Sequence, residues 1–244
     1  MRKQWWKILT VLLLGYTIVA GLLGEAPRLP ILNETIRNLH FHVPMWFGMC
    51  ILLTISVVYS IKYLRHPLRR HDVYAVEFAN TGMLLGVLGI LTGSVWAKFA
   101  WGTFWTADPK LNGAAIALLI YAAYFILRSS LTDEQQRARV GAVYNVFAYA
   151  TLIPLLFILP RMTDSLHPGN GGNPGFSSYD LDSQLRLVFY PAVVGWTLLG
   201  VWLTSLRIRL QHVKDRINER MEEELFDARR RRLADDSSRV ERSV

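Results

Sequence analysis

Three of the six histidines in this chain stand where they could hold a metal-bearing ligand. His40 and His42 flank Phe41 in the run His40-Phe-His42-Val-Pro44, at the mouth of a long apolar stretch, and His167 opens the turn-rich sequence His167-Pro-Gly-Asn-Gly-Gly-Asn-Pro-Gly. Between them lies Trp96-Ala-Lys-Phe-Ala-Trp101-Gly-Thr-Phe-Trp105-Thr-Ala-Asp108-Pro-Lys110, with three Trp and two Phe in one short stretch. A few Trp at a bilayer surface are ordinary anchors, because the ring is apolar while the indole N–H seeks a wet partner. This many together make a platform for a large flat ligand. Six-coordinate haem iron takes one imidazole from each face, and its macrocycle needs a broad apolar wall. Its propionates call for cations, for which Arg37, Lys98, Lys110, Arg161 and Arg186 are candidates. His40 and His42 point in different directions on a helix, so only one is expected to face a shared pocket. Residue types alone do not choose between them. His66 and His71, among Arg65, Arg69 and Arg70, and His212, in a charged tail, are expected to be solvated.

The elements that must position these residues are membrane helices. About 20 mostly apolar residues cross the ~30 Å of a bilayer core, and six segments qualify, near residues 5–23, 41–63, 76–96, 114–127, 142–159 and 187–206. Spanning segments of that kind must be helical to satisfy their own backbone groups. The expected fold is therefore all-α: a six-helix transmembrane domain over residues 1–206 and a charged tail over 207–244. Arg2, Lys3 and Lys7 cluster at the start of the first segment as in a signal peptide, but its length and the weak site at Gly24-Glu-Ala26 favour a retained helix. With the N-terminus inside, 21 of the 27 Lys and Arg fall on the inner side, which by the positive-inside rule places both termini in the cytoplasm. That asymmetry accounts for the net charge of +8 without nucleic-acid binding. The three outer segments, 24–40, 98–112 and 160–186, then bring the histidines to the same side as the tryptophans. Cys50 is alone, so dithiol exchange within the chain is excluded.

The order of His-Val-Pro at the start of the second helix, Trp101-Gly-x-x-Trp105 in an outer loop and a histidine in the next outer loop resembles the haem-handling proteins of cytochrome c maturation, and the six-helix length resembles the haem exporter protein C type (CcmC). The likeness covers roughly residues 5–206. The family's tryptophan-rich "WWD" signature is matched at Trp101, Gly102, Trp105 and Asp108, and departs at Ala107, where another Trp is usual, and at Lys110, where Arg is usual. Ala107 removes one aromatic wall, for which Phe104 and Trp96 can compensate, and Lys110 keeps the charge but loses the planar fork of arginine.

The resemblance implies two axial histidines, carried over to His42 through His-Val-Pro and to His167 through its place in the third outer loop. It implies haem b held transiently and non-covalently against Trp96, Trp101, Gly102, Phe104, Trp105, Asp108 and Lys110. It also implies an inner-membrane location with the site on the periplasmic side, delivery to a periplasmic haem chaperone of the CcmE type, and a complex with an ABC-type ATPase and its permease. Transfer rather than catalysis is expected, and glycines and prolines at 168–175 would let His167 move away on release.

Two other readings are weighed against this one. A b-type redox subunit or cytochrome c synthase calls for ligands at both faces, or for a longer chain. A permease calls for helices broken within the membrane or for paired intramembrane charges, neither of which is evident. Glu77, with Asn80 and Thr81 behind it, sits near the inner end of the third helix and is expected to be structural. The tail carries eleven basic and nine acidic residues from Arg207 onward. It reads as a salt-bridged cytoplasmic helix fading by Asp235, with anionic lipid or a partner ATPase as its possible contacts.

Overall fold

The computed structural model describes residues 4–26, 32–167 and 181–241, with side chains as far as Arg231. Arg28 and the glycine- and proline-rich run expected to free His167 lie outside the described residues. Helix α1 is Trp5–Leu23, and a 3-10 turn, Asn33–Asn38, leads into α2, Leu39–Arg65. Helix α3 spans Arg69–Trp101, α4 Pro109–Ser130 and α5 Glu134–Ile153. A π turn, Pro154–Ile158, joins α5 to the short α6, Leu159–Met162, and α7 spans Ser183–Glu241. Six of these helical stretches are long and apolar enough to cross a membrane, so the all-α, six-span architecture is the one the apolar runs require.

The ends of the helices are marked by residues suited to them. Arg37 Nη1 donates to the carbonyls of Gly21 and Gly24 (3.2 and 2.6 Å), groups that the end of α1 leaves without intrahelical partners. Gly102 ends α3 with φ +81°, a left-handed turn that glycine adopts without penalty. Asp108 then caps α4, accepting from the N–H groups of Lys110 and Leu111, with Pro109 in the first helical position. This cap starts α4 five residues before the apolar core at 114. Just past α5, Pro154 has no N–H to give, and the ladder widens there so that Leu159 N–H reaches the Pro154 carbonyl.

Helices α2 and α3 meet along a stripe of small residues on α3: Ala75, Ala79, Gly82, Gly86, Gly89, Gly93 and Ala97, all buried. They recur every three or four positions and so lie on one face. A Cβ added at Gly82 would meet Leu53, at Gly86 Met49, at Gly89 Trp46 and at Gly93 His42. The four pairs hold one constant antiparallel register. Lipid tails are as apolar as leucine, so close van der Waals packing over small residues is what joins such helices. The last rung places His42.

At the other end of this ladder the interior is polar. Arg128, in the last turn of α4, forms a two-pronged bond with Asp72 in the first turn of α3, at 2.8 and 2.9 Å, with both side chains buried. Asn145 of α5 donates to Ser56 and Ser60 of α2, each at 2.8 Å, and Ser56 donates to the Ala75 carbonyl. Glu77 is buried and accepts from Asn80 at 3.4 Å. The Asp72–Arg128 pair corrects the expectation that the helices contain no paired charges. Apolar counting misses it because Arg128 stands next to a loop and reads as solvated. The π turn is likewise a local break in a spanning helix.

The chain divides into two compact units, 1–204 and 205–244. The second is helical to Glu241, beyond the fade expected at Asp235. It exposes Leu210, Val213, Ile217, Met221 and Leu225 between its charges.

Candidate functional site

His42 lies in the first turn of its helix, and Pro44 follows it two residues on. Its Nδ1 is 2.9 Å from the Gly89 carbonyl and 3.3 Å from the Thr92 hydroxyl. A carbonyl can only accept, so Nδ1 carries the proton and donates it, and Nε2 is the nitrogen that keeps its lone pair. The Trp46 and Trp96 rings stand edge-on to this imidazole at 6.3 and 5.9 Å. Trp96 is fixed in turn by its Nε1–H, which donates to the Thr35 hydroxyl at 3.0 Å, and it packs against the cluster of Ile36, Leu181, Leu185 and Phe189.

His167 is held through Asp108. Its Nδ1 is 2.9 Å from Asp108 Oδ1, and Asp108 Oδ2 accepts from the Ser165 hydroxyl at 2.8 Å and from the Leu166 N–H at 2.7 Å. The same carboxylate caps α4, so donors from two parts of the chain converge on it. Burial pushes the Asp108 carboxyl upward, but the hydrogen bonds from His167, Ser165 and Leu166 prevail and hold it well below the ordinary carboxylate range. It is therefore ionised at neutral pH and acts as the acceptor, so His167 Nδ1 carries a proton and Nε2 is the nitrogen left for a ligand. The Asp108 side chain is 1 % exposed and that of His167 20 %. Trp101 stands edge-on to the His167 ring at 4.8 Å.

The remaining expected site residues take different places. His167 and Lys110 lie within electrostatic reach of His42, so the two histidines and this lysine belong to one neighbourhood. Trp105 is exposed and donates from Nε1 to Asn112 at 3.2 Å, and Phe104 is exposed under the Lys98 ammonium. Gly102 makes the turn that presents them. Of the five cations considered for a propionate, four give a donor to a backbone carbonyl: Arg37, Lys98 to Gly102, Arg161 to Phe157 and Arg186 to Leu181. Lys110 is the one placed near His42.

His40 faces elsewhere. It is buried against Gly21 of α1, beside Glu25 and Arg37, and its Nδ1 has no hydrogen-bond partner. His66 and His212 are exposed, whereas His71 is half-buried, donating from Nδ1 to the His66 carbonyl at 3.0 Å. Reading the residues one at a time missed Trp46, Gly89, Thr92, Gly93 and Ser165. Trp46 was accessible, since it follows His42 by four residues and shares its helix face. The glycine spacing 82, 86, 89 and 93 was a second available signal.

The donor set fits haem. Two imidazoles, each with Nδ1–H tied to an oxygen acceptor, are the tautomers that a metal bound at Nε2 requires. Trp101 and Trp96 add apolar surface beside them.

Comparison with known proteins agrees in kind. The family model described as heme exporter protein C matches residues 1–223. The heme exporter protein C of Haemophilus influenzae is 24 % identical over 217 residues, covering 85 % of this chain and 83 % of that protein. That of Bradyrhizobium diazoefficiens is 30 % identical over 217 residues, covering 87 % and 80 %. The cytochrome c biogenesis protein CcsA of Pelargonium hortorum is 39 % identical over 93 residues, 38 % of this chain and 29 % of that protein. The chain belongs to the heme exporter protein C family.

Proposed function

We propose that this protein binds haem b at the outer face of the cytoplasmic membrane, between His42 and His167, and delivers it during maturation of c-type cytochromes to a periplasmic haem chaperone of the CcmE type. The observation that carries this reading is the matched pair of tautomers. Gly89 and Thr92 hold the Nδ1 proton of one histidine, Asp108 holds that of the other, and His42 lies within electrostatic reach of both His167 and Lys110. Haem held there would be ligated through Nε2 on each side, with Trp101 and Trp96 against the macrocycle. Phe104 and Trp105 are then the exposed aromatics that haem or the receiving protein covers, and Lys110 is the cation for a propionate.

The family is one of haem-export components rather than of catalysts, and an ABC-type ATPase with its permease completes the membrane complex in this reading. Both termini lie in the cytoplasm, membrane lipid surrounds the bundle, and the domain of residues 1–206 does the haem handling. Paired buried charges, which a permease would call for, are present as Asp72 and Arg128. They lie in the first turn of α3 and the last turn of α4, where they staple helix ends rather than line a path. A redox subunit is disfavoured because the two candidate ligands are neighbours and not stacked across the bundle.

Absorption spectroscopy tests the proposal. Purified wild type with added haem is expected to give a six-coordinate Soret spectrum, lost in His42→Ala and in His167→Ala and kept in His40→Ala. A wild type that takes up no haem, or uptake indifferent to both histidines, would refute it.

A further inference from the structure

The two candidate ligands are held in unlike ways. Every support described for His42 comes from the packed seam of α2 and α3: the Gly89 carbonyl, the Thr92 hydroxyl, the Trp46 and Trp96 rings, and the bare Cα of Gly93. Moving His42 means opening the ladder that joins two spanning helices. His167 instead follows the short helix α6, and three donors from consecutive residues converge on Asp108: the Ser165 hydroxyl, the Leu166 N–H and the His167 Nδ1–H. Ser165 Oγ also accepts from the His167 N–H at 3.1 Å, so the three residues form one knot. Asp108 does not travel with them, because its Oδ1 caps α4.

We infer that Asp108 is a positioning residue that latches residues 165–167 as a unit, and that His167 is for this reason the ligand that lets go first when haem is passed on. The inference rests on the reading of His42 and His167 as the haem ligands. Its physical content is shared dependence. Donors that use one acceptor form and break together, so a single event at Asp108 frees the loop and withdraws the imidazole. Opposite it, His42 stays in its seam and keeps the haem from leaving before the receiving protein has engaged.

Asp108→Asn separates the latch from the cap. Asparagine is as good an N-cap as aspartate, so one amide oxygen still serves Lys110 and Leu111. Its NH2 group takes the place of Oδ2 and meets the Leu166 N–H donor to donor, so the hold on residues 165–166 is lost and His167 keeps only its Nδ1–H on the oxygen that caps α4. The full-length protein in lipid nanodiscs is compared as wild type and Asp108→Asn in two experiments. Without haem, hydrogen exchange at the Leu166 amide is expected to be at least tenfold faster in the variant, with the Lys110 and Leu111 amides unchanged. With haem loaded, transfer to excess apomyoglobin is expected to be at least tenfold faster. The resting spectrum should gain a five-coordinate fraction that added imidazole returns to six-coordinate.

Unchanged exchange at Leu166 overturns the latch. Unchanged transfer, or a five-coordinate species whose retained ligand is His167, overturns the order of release. A wild type that takes up no haem overturns the ligand reading and the order of release with it, and the exchange experiment then still decides the latch.

Discussion

Alanine in place of Gly93 puts a methyl group where the His42 ring now lies. A Cβ at that position falls 2.5 Å from Cε1, 3.1 Å from Nδ1 and 3.3 Å from Nε2 of His42. Carbon atoms settle near ~3.5–4.0 Å, so the ring must withdraw by about 1 Å. It cannot do so and keep its bond to Gly89 intact, since at 2.9 Å that bond is already of ordinary length and an added ~1 Å takes it out of hydrogen-bond range. Overpacking of this kind costs about 1–3 kcal/mol. If all of it falls on the liganding geometry, haem affinity drops by about 5- to 150-fold. Gly86→Ala is the matched control on the same stripe. There the added atom meets Leu118 Cδ2 at 2.6 Å and Met49 Sδ at 2.7 Å, in side chains that can turn aside. Haem titration of both variants, followed at the Soret band alongside thermal unfolding of the haem-free protein, separates ligand geometry from general packing. Gly93→Ala that binds haem as tightly as Gly86→Ala, with an unchanged six-coordinate spectrum, would refute the placement of His42 against that glycine.

Three further outcomes are expected. Arg128→Ala leaves Asp72 buried without its main partner and should destabilise the protein by about 3–5 kcal/mol, measured by chemical unfolding in detergent, while the haem spectrum of the folded fraction stays unchanged; a loss under 1 kcal/mol would count against the staple. Trp101→Leu should weaken haem binding more than Trp105→Leu in equilibrium titrations, because Trp101 stands against His167 whereas Trp105 is exposed; the reverse order would show that the exposed ring is the main haem contact. The Asp108 carboxyl is held below the ordinary carboxylate range, so its stabilising contribution is complete above about pH 4 and is lost only as pH falls through that lower native value. Its carbonyl carbon resonance should therefore not titrate between pH 8 and pH 4, and a midpoint inside that window would contradict the five-donor arrangement.

The six spanning helices were legible because a bilayer demands long apolar runs and leaves a crossing chain few other structures. Helix limits were less so, since Asp108 starts α4 and Gly102 ends α3 through caps that hydropathy does not weigh. At the site, His42, His167, Trp101 and Asp108 could be singled out as residues, but not the relation between them. That Asp108 serves as acceptor for His167 depends on a contact between positions 59 apart in the chain. His40 and His42 could not be told apart by type. The structure turns one toward Gly21 and the other toward Gly93, a choice set by which helix supplies the bare backbone. The Asp72–Arg128 pair was hidden for a related reason: a charge beside a loop reads as solvated until its partner, 56 residues away, is brought to it.

The π turn at 154–158 has a bearing on ancestry and on design. Such a turn holds one residue more than the α-helix it interrupts, and one residue is worth about 100° of rotation and 1.5 Å of rise. Helix α6, which continues it to Met162, is thus set in phase by a single surplus residue, much as one extra tooth offsets the next teeth of a gear. Gly113 of α4 lies against the Leu155 carbonyl of that wider turn, at a spot a side chain would fill. Deleting one residue between 154 and 158 would restore an ordinary helix and rotate the chain beyond it by nearly a third of a turn. The residues leading to Ser165 and His167 would then start out facing away from Asp108, although none of the site residues had been altered.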